Sequence, residues 1–331
     1  MPATENKSIR FALAGYGRIG LKHRQVLEAH PQCELVAVID CEEKQVPVPF
    51  FSTISEFAAA GVPADVITIA TPNGLHARHA VEALKAGYHV VVEKPLALCK
   101  ADAEAVFAAA AQKQKQAFVV MQNRLSPVSA WLKHTVSSGV LGKIFLVQVN
   151  CFWNRSTAYY KESKWHGSAA MDGGTLFTQF SHFIDLLYWL FGDITHISSR
   201  LRNFSHAGVT EFEDSGLVSF DFVNGGIGSF QFSTAAWQKN LESSVTILAE
   251  NGTIKVGGQY MERIDYCNVN NGPTPHPLNT DTRDNHYLFI DDVVRSLHSA
   301  SPNAAVPSDA IAVVDIIERI YTSSKTNIET C

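Results

Sequence analysis

The segment Ile9-Arg10-Phe11-Ala12-Leu13-Ala14-Gly15-Tyr16-Gly17-Arg18-Ile19-Gly20 decides the fold of the first part of this chain. Its first six residues are an apolar run suited to a buried strand, and residues 19–29 continue with helical spacing. The three glycines between answer three needs: a tight turn out of the strand, close approach of backbone to a pyrophosphate, and close packing of helix on strand. The amides that open the helix then face the phosphate charge. A second apolar run, residues 34–40, ends on Asp40, 20 residues after Gly20. That is the distance expected of a carboxylate that accepts hydrogen bonds from an adenosine ribose. Gly15, Gly17, Arg18, Ile19, Gly20 and Asp40 are therefore predicted to bind a dinucleotide. Asp40 would repel a 2′-phosphate, and Cys41-Glu42-Glu43 offers no arginine to offset it, so NAD is favoured over NADP. Arg18 either sits over the pyrophosphate or faces solvent.

Downstream, residues 54–60, 74–86 and 100–114 read as helices, and residues 66–70, 89–93 and 117–121 as strands. Strands separated by helix-length segments make βαβ units and a parallel sheet, so residues 1–124 are predicted to form a Rossmann domain. After about residue 125 the texture changes. Residues 144–153 are extended, residues 215–233 alternate with period two around Gly225-Gly226, and residues 243–249 and 252–256 form another hairpin. Helices interrupt at residues 129–138 and 180–191, and a last helical pattern at residues 310–322 is a candidate to return onto the first domain. Residues 125–331 are thus predicted to be an α+β substrate and oligomerisation domain with an open, mostly antiparallel sheet. The fold class is α/β. Residues 268–284, rich in Asn, Pro and Thr, read as a long loop, ordered over a substrate or a plain surface excursion.

A chain of 331 residues suits two domains, and 46% apolar with 18% charged residues is a globular composition. The net charge of −5 gives no basic footprint for nucleic acid. No apolar run approaches the roughly 20 residues of a membrane span, and the polar start lacks a signal-like apolar segment, so a cytoplasmic protein is expected. Cys33, Cys41, Cys99, Cys151, Cys267 and Cys331 show no metal-ligand spacing and read as free thiols; no metal is expected.

Glu93-Lys94-Pro95-Leu96 ends a strand at the carboxyl edge of the predicted sheet, where ligands of open α/β sheets bind. Lys94 is a candidate to hydrogen-bond a substrate hydroxyl and a nicotinamide ribose together; the bland alternative is a solvated lysine at a strand end. Asp172-Gly173-Gly174 is followed by Thr178, Gln179, His182 and Asp185, and the i, i+4, i+7 spacing would place Thr178, His182 and Asp185 on one helical face. His182 can act as general base while hydride leaves the same carbon; Asp185 either orients its ring or makes a plain surface hydrogen bond, which the i, i+3 relation suits equally. Beside Phe183 and Ile184, a structural histidine is the alternative.

Together with Ala70-Thr71-Pro72-Asn73, His76 and Gln122-Asn123-Arg124, these motifs resemble the glucose–fructose oxidoreductase / inositol dehydrogenase / MocA (Gfo/Idh/MocA) family over essentially the whole chain. The resemblance implies oxidation or reduction of a sugar or cyclitol carbinol carbon, with Lys94 on the reacting hydroxyl. It implies that Thr71, Pro72, Asn73, His76, Glu93 and Asn123 line the cofactor and that Arg124 lies near the nicotinamide end or the substrate. Many members carry Asp, others Asn, four residues before the histidine; here Thr178 stands there. Its hydroxyl is no carboxylate acid, so proton transfer leans on His182 and Lys94, and Gln179 is left as a polar contact to substrate.

The stretch Tyr159-Tyr160…Trp165-His166-Gly167 is similar to a subgroup that oxidises nucleotide-linked amino sugars at C3, acting on UDP-N-acetylglucosaminuronate in surface-polysaccharide pathways. His166 stands where that pattern has arginine, the better bidentate partner for a uronate. Tyr160, Trp165 and His166 are candidates to contact sugar or base; core or interface positions are the alternative. Three functions follow: a nucleotide-sugar dehydrogenase, a dehydrogenase of a free sugar or inositol, and an NAD(H)-binding regulator, the last motivated by Thr178. The expected partners are a small sugar or nucleotide-sugar and further copies of the chain, as a homodimer or homotetramer through the C-terminal sheet. No nucleic acid and no membrane are expected.

Overall fold

In the computed structural model, which describes residues 8–270, 283–299 and 307–326, β1 (Ile9–Ala14) is buried along nearly its whole length, as a strand covered on both faces must be. The chain divides by contact into Met1–Gln122 with Arg283–Ile311, and Asn123–Thr282 with Ala312–Cys331.

In the first unit β1 is followed by α1 (Arg18–Ala29), β2 (Cys33–Ile39), β3 (Phe50–Phe51), α2 (Ile54–Ala59) and β4 (Val66–Ile69). Then come α3 (His76–Lys85), β5 (His89–Val92), α4 (Lys100–Gln112) and β6 (Ala117–Val119). The six strands lie in the order β3-β2-β1-β4-β5-β6 with every neighbouring pair parallel. The order reverses between β1 and β4, the switch point outside which such sheets bind their ligands. The glycine loop, Asp40, Thr71, Lys94 and Gln122 all follow strand carboxyl ends, so one edge of the sheet collects them.

The second unit holds α5 (Pro127–Ser137), β7 (Ile144–Phe152), α6 (Thr157–Lys161), α7 (Ser181–Phe191), β8 (Ile194–Arg202), β9 (Ser215–Phe222) and β10 (Ile227–Ser233). It continues with β11 (Glu242–Ala249), β12 (Gly252–Gly257) and β13 (Arg263–Val269). Seven strands lie in the order β13-β12-β11-β7-β10-β9-β8; β7 and β10 run parallel and the other pairs antiparallel. Phe220, Phe222, Phe230 and Phe232 recur with period two on the buried face. Phe180 meets Phe230 and Phe232, and Phe191 of α7 meets Phe222, which closes the core from the helical side.

Two helices come last. Asp284 caps α8 (Asn285–His298) by accepting the His286 amide, and α8 buries Phe289, Ile290, Val293 and Val294 while packing on α1 in the first unit. Sequence reasoning missed this helix. The last helix, α9 (Pro307–Thr326), is divided between the units after Ile311; in the second, Arg319 Nη1 donates to Ile194 O at 2.6 Å and Ser323 Oγ to Ile197 O at 2.9 Å. Of the predicted loop at 268–284, Asn268 and Val269 belong to β13 and residues 271–282 lie outside the described residues.

Candidate active site

Gly15 holds φ +93°, and a Cβ on it would stand 2.4 Å from Ala70 O. A Cβ on Gly20 would stand 2.1 Å from Gly15 O, so these two glycines are steric requirements of the turn. Gly17 differs: nothing lies within 4 Å of the place a Cβ would take. It is the N-cap of α1, and among the described residues no side chain caps that helix and no acid stands in its first turn. The loop is thus an open cradle of main-chain amides for an anion. Arg18 beside it is exposed and Ile19 half-buried. Asp40 Oδ2 accepts the Tyr16 amide at 2.6 Å and Oδ1 the Glu42 amide at 2.9 Å, which fixes the carboxylate beside the loop. Lys44, the cation that follows in sequence, donates to Glu42 at 3.0 Å. Open amides beside a fixed carboxylate fit NAD, whose pyrophosphate and ribose hydroxyls are complementary to them.

After β4, His76 is buried, with Nδ1 2.7 Å from Pro95 O and Nε2 2.6 Å from Thr71 O. Burial pulls its pKa down, and the ring ties the Thr71-Pro72-Asn73 turn to the loop of Lys94. Thr71 Oγ1 lies 3.1 Å from His79 Nδ1, and the Asn73 side chain is buried. The Lys94–Pro95 peptide is cis, and Lys94 is half-buried. Glu93 turns inward: its carboxylate is 2.7 Å from His23 Nε2 of α1, and its other oxygen accepts the Lys94 amide at 3.2 Å.

In the second unit Asn123 is 1% exposed, and neither atom of its amide finds a partner among the described residues, which leaves both a donor and an acceptor for a ligand. Arg124 Nε donates to both oxygens of the buried Asp185 at 3.0 and 3.1 Å, and its guanidinium lies 5.4 Å from the Trp189 ring. Asp185 thus pairs with Arg124, a partner that sequence spacing did not offer. The helix is not regular at its start: Leu176–Phe180 form a π turn and the α-helix begins at Ser181, so Thr178 lies in the turn and His182 in the helix that follows. Thr178 Oγ1 instead donates to Asp172, whose Oδ2 accepts the Gly167 amide at 2.8 Å.

Gln179 Oε1 accepts from Arg155 Nε at 2.8 Å, while its Nε2 donates to Tyr159 OH at 2.8 Å. His166 stacks on Tyr159 at 4.6 Å between ring centres and meets Trp165 edge-on; both are half-buried. Tyr160 is 4% exposed and packs on His206, a core position, and burial pushes its hydroxyl pKa up. Sequence reasoning missed His23, His286, Arg155, Glu213 and Tyr321. His23 left a signal, a polar residue on the buried stripe of α1 with Gly20, Val26 and Leu27. Arg155, from the turn after β7, left none.

Glu213 and Tyr321 secure the start of the π turn. Tyr321 OH of α9 donates to Glu213 Oε1 at 2.7 Å and accepts the Leu176 amide at 3.2 Å. Burial pushes the Glu213 carboxyl up to about 7, against the pull of the Tyr321 hydroxyl and neighbouring amides.

Residues 9–121 match the family described as "Oxidoreductase family, NAD-binding Rossmann fold", and residues 130–255 the family described as "GFO/IDH/MocA C-terminal domain". The WlbA dehydrogenase from Bordetella pertussis, solved with NADH and UDP-GlcNAcA, is 32% identical and superposes with a TM-score of 0.90 over 98% of each chain. The WlbA enzyme from Chromobacterium violaceum, solved with the same two ligands, is 30% identical with a TM-score of 0.89 over 99% of this chain and 96% of that one. Levoglucosan dehydrogenase of Pseudarthrobacter phenanthrenivorans is 25% identical over 57% of this chain and 54% of its own length. The chain spans about half the length of the first curated relatives it matches. Among the described residues no helix is long and apolar enough to cross a membrane.

Proposed function

The chain belongs to the Gfo/Idh/MocA oxidoreductase family, and from that premise we propose that it is an NAD-dependent dehydrogenase of a nucleotide-linked, uronate-type amino sugar. The observation that supports this most is the end-to-end likeness, at 32% identity, to an enzyme solved with NADH and UDP-GlcNAcA. NAD supplies the hydride acceptor for the carbinol carbon.

The rest of the chemistry falls to this chain's side chains. The amides at Gly17 and the start of α1 hold the pyrophosphate, and Asp40 accepts from the ribose and turns away a 2′-phosphate. Lys94 donates to the reacting oxygen and stabilises the charge that grows on it. His182 takes the hydroxyl proton as the carbonyl forms, so hydride and proton leave the same carbinol group. Thr178, held by Asp172, and Gln179, held by Arg155 and Tyr159, shape the polar wall; remote sugar and nucleotide contacts fix the ring in place. Trp165 and His166 offer the flat surfaces for stacking, whereas Tyr160 is buried against Tyr159 and His206.

The open face of the seven-stranded sheet exposes Leu217, Ile227, Leu248 and Tyr266, and a second copy of the chain is its proposed partner, in a cytoplasmic oligomer. His166, standing where arginine would pair with a uronate, favours a second reading: a dehydrogenase of a free sugar.

The test is turnover of NAD with UDP-GlcNAcA by the parent and by Lys94→Ala. Loss of about 10²–10⁴ in kcat with NADH binding retained is expected, and retained turnover sinks the role of Lys94. A rise in melting temperature with free sugars but not with UDP-GlcNAcA, both in the presence of NAD, selects the second reading. A bound NADH band that no sugar changes marks a regulator.

A further inference from the structure

Glu93 is 3% exposed, and two other elements of the first unit, α1 and α8, converge on it. His23 of α1 places Nε2 2.7 Å from Oε1, and His286 of α8 places Nε2 3.7 Å from the same oxygen. The rings of His23 and His286 meet edge-to-face at 5.8 Å. Oε2 accepts the main-chain amide of Lys94 at 3.2 Å. Among the described residues, the other charges facing the cluster are Asp284, 3.4 Å from His286 Nδ1, and Lys22, which pairs with Asp284 at 3.1 Å. Burial would raise the Glu93 carboxyl, but the His23 hydrogen bond and the charges of His23, His286 and Lys94 outweigh it and hold the group down at about 2.

We propose that Glu93 is not a cofactor ligand but a buried anion, held by His23 and His286, that positions Lys94 and sets the charge environment of its amine. The inference rests on the proposed role of Lys94. A carboxylate turned away from solvent, hydrogen-bonded to His23 and to the Lys94 amide and with the His286 ring beside it, has little surface to offer a dinucleotide. A buried ion is costly unless its partners are well placed. Here they come from the helix that opens at the glycine loop and from α8, so the same set links the cofactor helix to the Lys94 loop. His23 lies three residues after Gly20, one turn along α1, so closure of the glycine turn also sets the reach of His23 to Glu93. His23, Glu93 and His286 are positioning residues acting through Lys94.

The test uses Glu93→Gln, which keeps the shape and removes the charge, with His23→Gln as a second variant should the first not fold. Two readouts need no sugar substrate. NADH affinity, from fluorescence titration, is expected to stay within about twofold of the parent; a loss of tenfold or more restores Glu93 as a cofactor ligand and overturns the proposal. Lys94 is then modified with pyridoxal phosphate and borohydride at pH 7 and quantified by peptide mass spectrometry. Removing the anion eases loss of the ammonium proton, so labelling is expected to quicken by about threefold or more. An unchanged rate overturns the proposal. Failure of the parent to oxidise any sugar would count against the proposed function and leave both readouts standing.

Discussion

Replacing Glu213 by Gln separates a titrating anchor from an inert one, and the structure sets the size of the effect. The carboxyl is 7% exposed, accepts the Tyr321 hydroxyl, and is pushed by burial from 4.5 up to about 7. Between those two pH values the folded chain keeps a proton that the unfolded chain has lost. Stability contributed by this group is therefore greatest below pH 4.5, falls as the pH rises, and levels off above 7. The gap is worth about 3 kcal/mol. A glutamine accepts the same hydroxyl and does not titrate, so the stability of Glu213→Gln relative to the parent should climb by about that amount from pH 5 to pH 8. All five tryptophans (Trp131, Trp153, Trp165, Trp189 and Trp237) lie in the second unit, as Glu213 does. Urea unfolding followed by tryptophan fluorescence at four pH values thus reports the right unit. Parallel pH profiles for variant and parent would refute the reasoning, since they would mean that Glu213 is ionised in the fold at pH 5 or solvated well enough not to matter.

Two further substitutions probe the cofactor cradle. Gly20→Ala would put a Cβ 2.1 Å from the Gly15 carbonyl, so α1 must shift; the expected result is a loss of roughly 2 kcal/mol or more in urea unfolding together with loss of NADH fluorescence enhancement. Asp40→Ala removes the repulsion facing a 2′-phosphate, and the ratio of NADH to NADPH affinity should fall by about tenfold, the equivalent of about 1.4 kcal/mol; an unchanged ratio would place the discrimination elsewhere.

The first unit was legible because its physics is written in short range. Each parallel strand is covered on both faces and so shows as an apolar run, and Gly15 and Gly20 sit where a Cβ would strike backbone. The hairpins of the second unit carried the same kind of signal in Gly225-Gly226 and Asn251-Gly252. Strands β8 and β13 did not, because they are the two edges of their sheet: Ile194–Arg202 and Arg263–Val269 are mixed in polarity and carry no apolar run. The orientation of Glu93 was illegible too, since a residue at a strand end can turn either way. Only the partners from α1 and α8, more than 60 residues distant on either side, decide it.

The one departure from the family motif falls inside the π turn. On an α-helix through residues 174–185, Thr178 would stand one turn from His182 and inherit the place of the family's acid. The π turn widens the ring by one residue, and Thr178 lies within it while His182 follows in the regular helix; a spacing of four residues still comes to about one turn, so the two keep one side of the helix. The hydroxyl of Thr178 meets Asp172, and His182 lies near the start of the regular helix that also carries Asp185, the partner of Arg124. Tyr321 holds the amide of Leu176 at the first residue of that turn, and Gly174, at φ +122°, leaves room for the Tyr321 hydroxyl where a Cβ would stand 2.2 Å away. The turn is thus pinned from α9, and its register does not depend on whether residue 178 is an acid. On the proposed mechanism, a carboxylate at 178 would have to displace the Asp172 contact before it could serve as an acid. Thr178 has no such conflict, and the proton is left to His182 and Lys94.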